Sequence, residues 1–389
     1  MSFARAVPWL LLVFASPAIA QSPPPPRDVT FSAADGTKLK GTYYAAPRPG
    51  PAVLLLHMCN TTRISWEPLG RQLAAAGIHA LSFDYRGFGE SGGERFDPTR
   101  GQEIVNATWP GDIDTAYGFL LAQPGIDRTR VGAAGGSCGV AHATRLARRH
   151  PDVRSLVLLA GGLDLEGLTF ITETPWLPIF AAAAADDQYD RDAPGTMRWI
   201  LAMSGNPRNT FSGFKDGKHG TEIFGPHPEL PKQIVGWYTD TLVQHPADPK
   251  TAVTVKDTPA RDFWRKAVSP SGVTAAVQLF HETRRRDPRA ILFPEAQLNL
   301  LGYLHLQAGR TAQAVELFKV NTLAYPASAN TYDSLGDAYL AEGRNAEALQ
   351  ASEKAIALLA TDTSDDNRKK TIRDSAEQKI ARIKGSQKK

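Results

Sequence analysis

Cysteine is almost missing from the chain: among 389 residues there are only Cys59 and Cys138. A disulfide-stapled scaffold and a zinc site built from thiolates are therefore excluded. There is no long basic block either. The 44 Lys and Arg are interspersed with 40 Asp and Glu, for a net charge of +4, so neither nucleic acid nor an anionic membrane is indicated as a partner. No apolar run reaches the length of a bilayer span. The N-terminal run, 6–15, follows Arg5 and precedes Ser16-Pro17-Ala18-Ile19-Ala20. That is the order of a cleavable export signal, with Ala18 and Ala20 as the small residues before the cut. No cysteine follows the run, which argues against lipid attachment. The expectation is a signal over 1–20, export to the periplasm or outside the cell, and no membrane contact after cleavage. Prolines 23–26 make 21–27 a stiff spacer.

What the chain does have is a 42% hydrophobic content, enough at this length for one full-sized core and a smaller module. From 28 to 244 short apolar runs alternate with amphipathic ones. The segments 29–33 and 39–45 predict a hairpin joined through Asp35-Gly36. Further buried strands are expected at 52–56, 78–83, 131–134, 156–160, 179–184 and 210–214. Helices are expected at 66–76, 113–122, 140–150, 196–203 and 230–243. This alternation predicts an α/β domain with a mostly parallel sheet covered on both faces.

Residues 245–259, rich in Pro, Asp, Lys and Thr, read as a linker, so a chain ending near Gln244 is expected to keep its activity. Beyond it the sequence repeats. Leu301-Gly302, Gly309 and Ala314 recur 34 residues later as Leu335-Gly336, Gly343 and Ala348. Ala276 to Phe280 with Pro288 echoes Ala314 to Phe318 with Pro326. A charged helix over about 364–384 would cap the stack. Residues 260–385 thus resemble tetratricopeptide repeats, in which small residues let antiparallel helices pack closely. The resemblance implies an all-α helical repeat domain with a protein partner as one role.

The chemistry centres on Gly135-Gly136-Ser137-Cys138-Gly139, placed between the apolar run 131–134 and the helical pattern 140–150. A G-x-S-x-G between strand and helix is the sharp turn that thrusts a serine hydroxyl out at the strand end. The spacing of the glycines favours Ser137 over Cys138 as nucleophile. A serine needs a base, and the base needs an orienting carboxylate. The strand 179–184 runs into Asp186-Asp187, of which Asp187 is favoured. His219, in the Gly-flanked loop after 210–214, comes last in the expected order Ser, Asp, His. One oxyanion amide is expected from Cys138, and the other from Met58 or Cys59, with Cys59 favoured.

Together with Asp84-Tyr85-Arg86-Gly87-Phe88-Gly89-Glu90-Ser91, a D-x-R-G-x-G-x-S turn, these residues resemble the α/β-hydrolase superfamily, and within it the dienelactone hydrolase-like and serine aminopeptidase-like members. The resemblance covers about 28–243. It implies a serine hydrolase that needs neither metal nor organic cofactor. Two departures stand out: dienelactone hydrolases proper carry a cysteine where Ser137 stands, and the usual His-Gly of the oxyanion loop is His57-Met58. A carboxylic ester is the expected substrate, with a peptide as the alternative. A repeat-mediated binding protein with a vestigial hydrolase is the reading from another class.

Only a short stretch, 162–176, separates the sixth strand from the seventh, so no inserted cap domain is expected there. The loop 85–110 is expected to fold over the site, with Phe88, Phe96, Trp109 and Trp176 as apolar walls. The two solitary cysteines occupy the two expected oxyanion positions, which must converge on one oxygen. In an exported protein this leaves a Cys59–Cys138 disulfide and two packed free thiols as equal alternatives.

Overall fold

The computed structural model describes residues 22–97, 101–364 and 366–386, so the expected signal and the start of the spacer lie outside the described residues. Eight strands form one sheet: β1 (Arg27–Ser32), β2 (Lys38–Tyr44), β3 (Gly50–Leu56), β4 (His79–Phe83), β5 (Ile126–Gly136), β6 (Val153–Leu159), β7 (Ile179–Ala184) and β8 (Thr210–Phe214). Their order is β1-β2-β4-β3-β5-β6-β7-β8. Only β2 runs against its neighbours, pairing antiparallel with β1 and β4, and every pair from β4 through β8 is parallel.

The central strands are apolar on both faces because helices cover both. On one side α1 (Glu67–Ala75) and α6 (Glu229–Tyr238) bury Val53, Leu55, Val157 and Leu159. On the other, α2 (Gly101–Leu121), α3 (Cys138–Arg149), α4 (Leu165–Glu173) and α5 (Ala193–Ser204) bury Leu54, Leu56, Leu156 and Leu158. Alternate residues of one strand thus feed opposite layers, as the pleat requires.

Two helices depart from expectation. α2 begins at Gly101, although Pro110 lies inside it and Trp109-Pro110-Gly111 reads as a turn. Much of the expected loop 85–110 is therefore helix, and 98–100 lie outside the described residues. The connection 162–176 carries α4, opened by Asp164, whose side chain accepts from the Gly167 amide at 2.6 Å.

The C-terminal part is helical: α7 (Pro259–Ala267), α8 (Val273–Arg286), α9 (Glu295–Gln307), α10 (Thr311–Ala324), α11 (Ala329–Ala341), α12 (Asn345–Leu358) and α13 (Asp366–Ser386). The bounds of α11 and α12 repeat those of α9 and α10 at a 34-residue offset. Close packing explains the shared glycine: a Cβ on Gly302 would fall 2.5 Å from the Phe318 ring.

The region is not joined to the sheet by a linker alone. Phe263, Trp264, Phe280, Phe293, Leu298, Leu301 and Leu317 share one continuous core with Leu163, Leu168, Trp199 and Ile200 of the α4–α5 layer. Trp199 Nε1 donates to the Leu292 carbonyl at 2.8 Å. Even the segment before α7 is docked, since a Cβ on Gly205 would lie 2.3 Å from Val255. The change of composition at 245–259 therefore does not mark an edge of the packing. Among the described residues no helix is long and apolar enough to cross a membrane.

Candidate active site

Ser137 sits between β5 and α3 with φ 53° and ψ −120°, a left-handed backbone that an L-residue adopts only at a cost. Its amide donates to the Leu159 and Ala160 carbonyls at 3.0 and 3.1 Å. Two glycines make the turn possible. A Cβ on Gly135 would fall 2.0 Å from the Gly139 carbonyl oxygen, and one on Gly139 would fall 2.4 Å from that of Leu56. The serine is half-buried, so its side chain stands at the carboxyl edge of the sheet within reach of solvent.

Asp187 follows β7 and its side chain is wholly buried. One carboxylate oxygen accepts from the amides of Tyr189 and Asp190 at 2.8 and 3.0 Å, and the other accepts from His219 Nδ1 at 2.7 Å. With Nδ1 donating, Nε2 is left as the acceptor of the His219 ring. Asp186 is exposed and does different work: it accepts from the amide of Lys218, itself in a left-handed conformation at φ 59°. Asp186 thus shapes the turn that delivers His219, while Asp187 holds the ring.

Three neighbours carried no signal in the sequence. The Glu222 carboxylate accepts from the His219 amide and from Gln188 Nε2, both at 3.1 Å, tying the loop after β7 to the loop after β8. The Tyr189 ring lies 4.6 Å from that of His219, and its hydroxyl accepts from Asn60 Nδ2 at 3.3 Å. Arg191 pairs with the buried carboxylate of Asp362 and with Ser364, fastening the same loop to the helical region.

The loop after β3 is drawn to the elbow by a Cys59–Cys138 disulfide with the Cα atoms 5.9 Å apart. His57 fixes its entry: Nδ1 donates to the Met58 carbonyl at 2.7 Å and Nε2 accepts from the Tyr85 amide at 3.0 Å. Burial pushes the His57 pKa down to about 4, so the ring is neutral. The Met58 side chain is wedged between the elbow and the histidine loop: Cβ atoms on Gly136 and Gly220 would lie 3.1 and 2.4 Å from it. Cys138 opens α3, where a backbone amide has no partner inside the helix.

The expected apolar walls divide. Phe88 packs 5.2 Å from the His57 ring and Phe96 lies beside Phe88, so both stand close to the loop after β3. Trp109 is instead wholly buried core, between Tyr85 and His142. Trp176 precedes β7, at the sheet edge opposite Ser137, where Arg154 covers it, so it cannot line the site. Asp84 is structural: it accepts from the amides of Arg63 and Glu90 and pairs with the Arg63 guanidinium. Among the described residues no three His, Cys, Asp or Glu side chains come together as a metal would require.

The family model described as serine aminopeptidase, S33, matches residues 47–188. An uncharacterized protein of Mycobacterium tuberculosis is 32% identical over 158 residues, 40% of this chain and 52% of that protein. A thiohydrolase of Aspergillus aculeatus is 33% identical over 134 residues, 33% of this chain and 40% of that one. The chain thus spans about half the length, or less, of these curated relatives. An esterase structure from Pyrococcus furiosus aligns at a TM-score of 0.47 and 18% identity, covering 56% of this chain and 91% of the esterase. The strand order, the single reversed strand β2 and the strained turn at Ser137 are those of the α/β-hydrolase fold.

Proposed function

We propose that the chain is an exported serine hydrolase that cleaves carboxylic esters by acyl transfer to water. Ser137 is the nucleophile, His219 the general base and Asp187 the carboxylate that holds the imidazole. The observation that carries this reading is a strained serine at the sheet edge in the same fold as a buried imidazole whose Nδ1 is bound to a buried carboxylate. His219 Nε2 takes the hydroxyl proton as Oγ adds to the carbonyl carbon. Charge passes to the carbonyl oxygen, which the amides of Cys138 and of Cys59 or Met58 stabilise. Collapse expels the alcohol, protonated by His219, and water repeats the sequence on the acyl-enzyme. No step calls for a cofactor or metal.

The disulfide fits export, because such bonds persist in oxidising compartments. It also holds the two donor loops together, which preorganises them. The thiohydrolase relative supports thioesters as a second acyl donor. A peptidase is the competing reading, favoured by the description of the matching family model. The nine-residue α4, where a cap would be inserted, supports an accessible site for modest esters. The paired helices α9–α12 are proposed to be tetratricopeptide repeats that bind a protein partner.

A panel of alkanoyl esters, thioesters and aminoacyl amides tests the reading. Turnover of esters well above that of amides supports it. Preference for amides replaces it with the peptidase, and inertness towards the whole panel leaves a binding protein.

A further inference from the structure

We propose that the C-terminal helical region takes part in catalysis: Asp362, acting through Arg191, holds the loop after β7 where Asp187 can orient His219. The proposal rests on the reading of Asp187 as the orienting carboxylate. Asp362 binds backbone amides, Ser364 and Arg191 rather than any reacting atom, so it is a positioning residue.

Arg191 lies four positions after Asp187, inside a run of side-chain-to-backbone turns. The Asp187 oxygen that does not face His219 accepts from the Asp190 amide at 3.0 Å. Asp190 Oδ1 accepts from the Asp192 amide at 3.0 Å, and Asp192 Oδ1 accepts from the Gly195 amide at 3.0 Å at the start of α5. Each turn fixes the backbone of the next. A shift of Arg191 is therefore passed back to the Asp187 carboxylate.

The anchor at the other end is built into the repeats. Asp362 stands in the turn between α12 and α13 with its side chain wholly buried. Oδ2 accepts from the Ala329 amide at the start of α11, 3.0 Å away, and Oδ1 accepts from the Ser364 amide at 2.8 Å. Arg191 completes the set by donating to Oδ1 and to Ser364 Oγ. A carboxylate buried in this way adds little net stability, because the cost of leaving water offsets much of the attraction. It fixes geometry instead: α11 and the α12–α13 turn set where it stands, and the guanidinium meets it there.

The other ties of the loop do not do the same work. The Ala185 amide donates to the Phe214 carbonyl at 2.9 Å, and Gln188 donates to Glu222 at 3.1 Å. These hold the loop to the segment that also carries His219, so acid and base can move together. Arg191 refers the loop to a different body, the helical region, whose core is continuous with α4 and α5. Arg191 and Asp362 both lie outside the 47–188 segment that matches the family model.

The test uses the full-length chain with Arg191→Met and Asp362→Asn. The Arg191 side chain is 43% exposed, so the first variant is expected to fold. Each should lower kcat for p-nitrophenyl butanoate about tenfold with KM within about twofold, as a small misplacement of a catalytic group does. The double variant should lose no more than the worse single one, because both break one tie. The Nδ1 proton shared by His219 and Asp187, read as a far-downfield resonance missing from Asp187→Asn, should broaden or move upfield in both variants. An unchanged kcat in folded Arg191→Met, a loss confined to KM, a resonance that stays put or fully additive losses overturn the proposal. If Arg191→Met does not fold, kcat, KM and the resonance in Asp362→Asn decide by the same criteria. Fluorophosphonate labelling separates the two levels. A labelled wild type with unmoved variants sinks the positioning role alone, whereas an unlabelled wild type sinks the hydrolase reading and the role with it.

Discussion

Trp199 Nε1 donates to the carbonyl of Leu292, 2.8 Å away and 93 positions along the chain, inside a core that belongs to both parts of the molecule. The indole is 6% exposed, and Phe263, Trp264 and Phe293 are buried in the same core. A chain ending at Gln244 would leave this face of α4 and α5 uncovered. It is expected to be insoluble or to lose cooperative unfolding, because several large side chains are exposed at about 1.5–3 kcal/mol each. Soluble yield and a thermal melt check this. A soluble fragment that melts cooperatively and keeps its ester activity would show that the shared core is dispensable.

Asp187→Asn is expected to lower kcat by about 10⁴-fold, since the single amide oxygen is held by the Tyr189 and Asp190 amides and the NH2 then donates to Nδ1, fixing the wrong tautomer and removing the charge that stabilises the imidazolium. Asp186→Asn should cost less than about tenfold, because an amide oxygen can still accept from the Lys218 amide. Comparing kcat for the two variants on one ester decides the assignment. Equal losses would mean that the two carboxylates share the role.

Residues that act locally were legible before the fold was. The apolar run at 179–184 coincides with β7, because a buried parallel strand is a short apolar run bounded by polar residues, whereas 210–214 forms β8 as a strand but at the sheet edge, where against expectation none of its residues is buried. The 34-residue period anticipated the matching bounds of α9–α10 and α11–α12. The first half of α2 was hidden by Pro110-Gly111, a turn signal that tertiary packing overrides. Trp176 was misplaced because an aromatic residue carries no mark of which sheet edge it occupies. Glu222, Tyr189 and Arg191 gain their roles from partners as far as 171 positions away, and no local pattern encodes such a contact.

Stability is expected to fall on acidification below about pH 6.5. Burial pushes His57 down to about 4 and His142 down to about 3, from an ordinary value of 6.5. Between those limits the unfolded chain binds protons that the folded one refuses, so stability rises with pH, is complete above about 6.5 and is lost as the pH drops towards 4. His142 packs 5.4 Å from the Trp109 ring and 5.6 Å from that of Tyr85, so His142→Phe suits its site. Urea denaturation at pH 7.5 and 4.5 should show a smaller loss in that variant, by roughly 1 kcal/mol per pH unit. The same pH dependence in both proteins would remove His142 from the account.

The disulfide between Cys59 and Cys138 should leave no alkylatable thiol in the protein purified without reductant, under denaturing, non-reducing conditions. Reduction is expected to lower kcat more than it lowers the melting temperature, because the bond holds the oxyanion loop to the elbow. Intact-mass analysis after alkylation reads the thiols directly, and two modified cysteines would contradict the bond.

Covalent labelling by a fluorophosphonate, in wild type and in Ser137→Ala, tests the central claim most directly. The account predicts one label per wild-type chain, mapped to Ser137, and no label and no ester turnover in the variant, with its circular dichroism unchanged. A label that persists in Ser137→Ala, or that maps to another serine in the wild type, would contradict it.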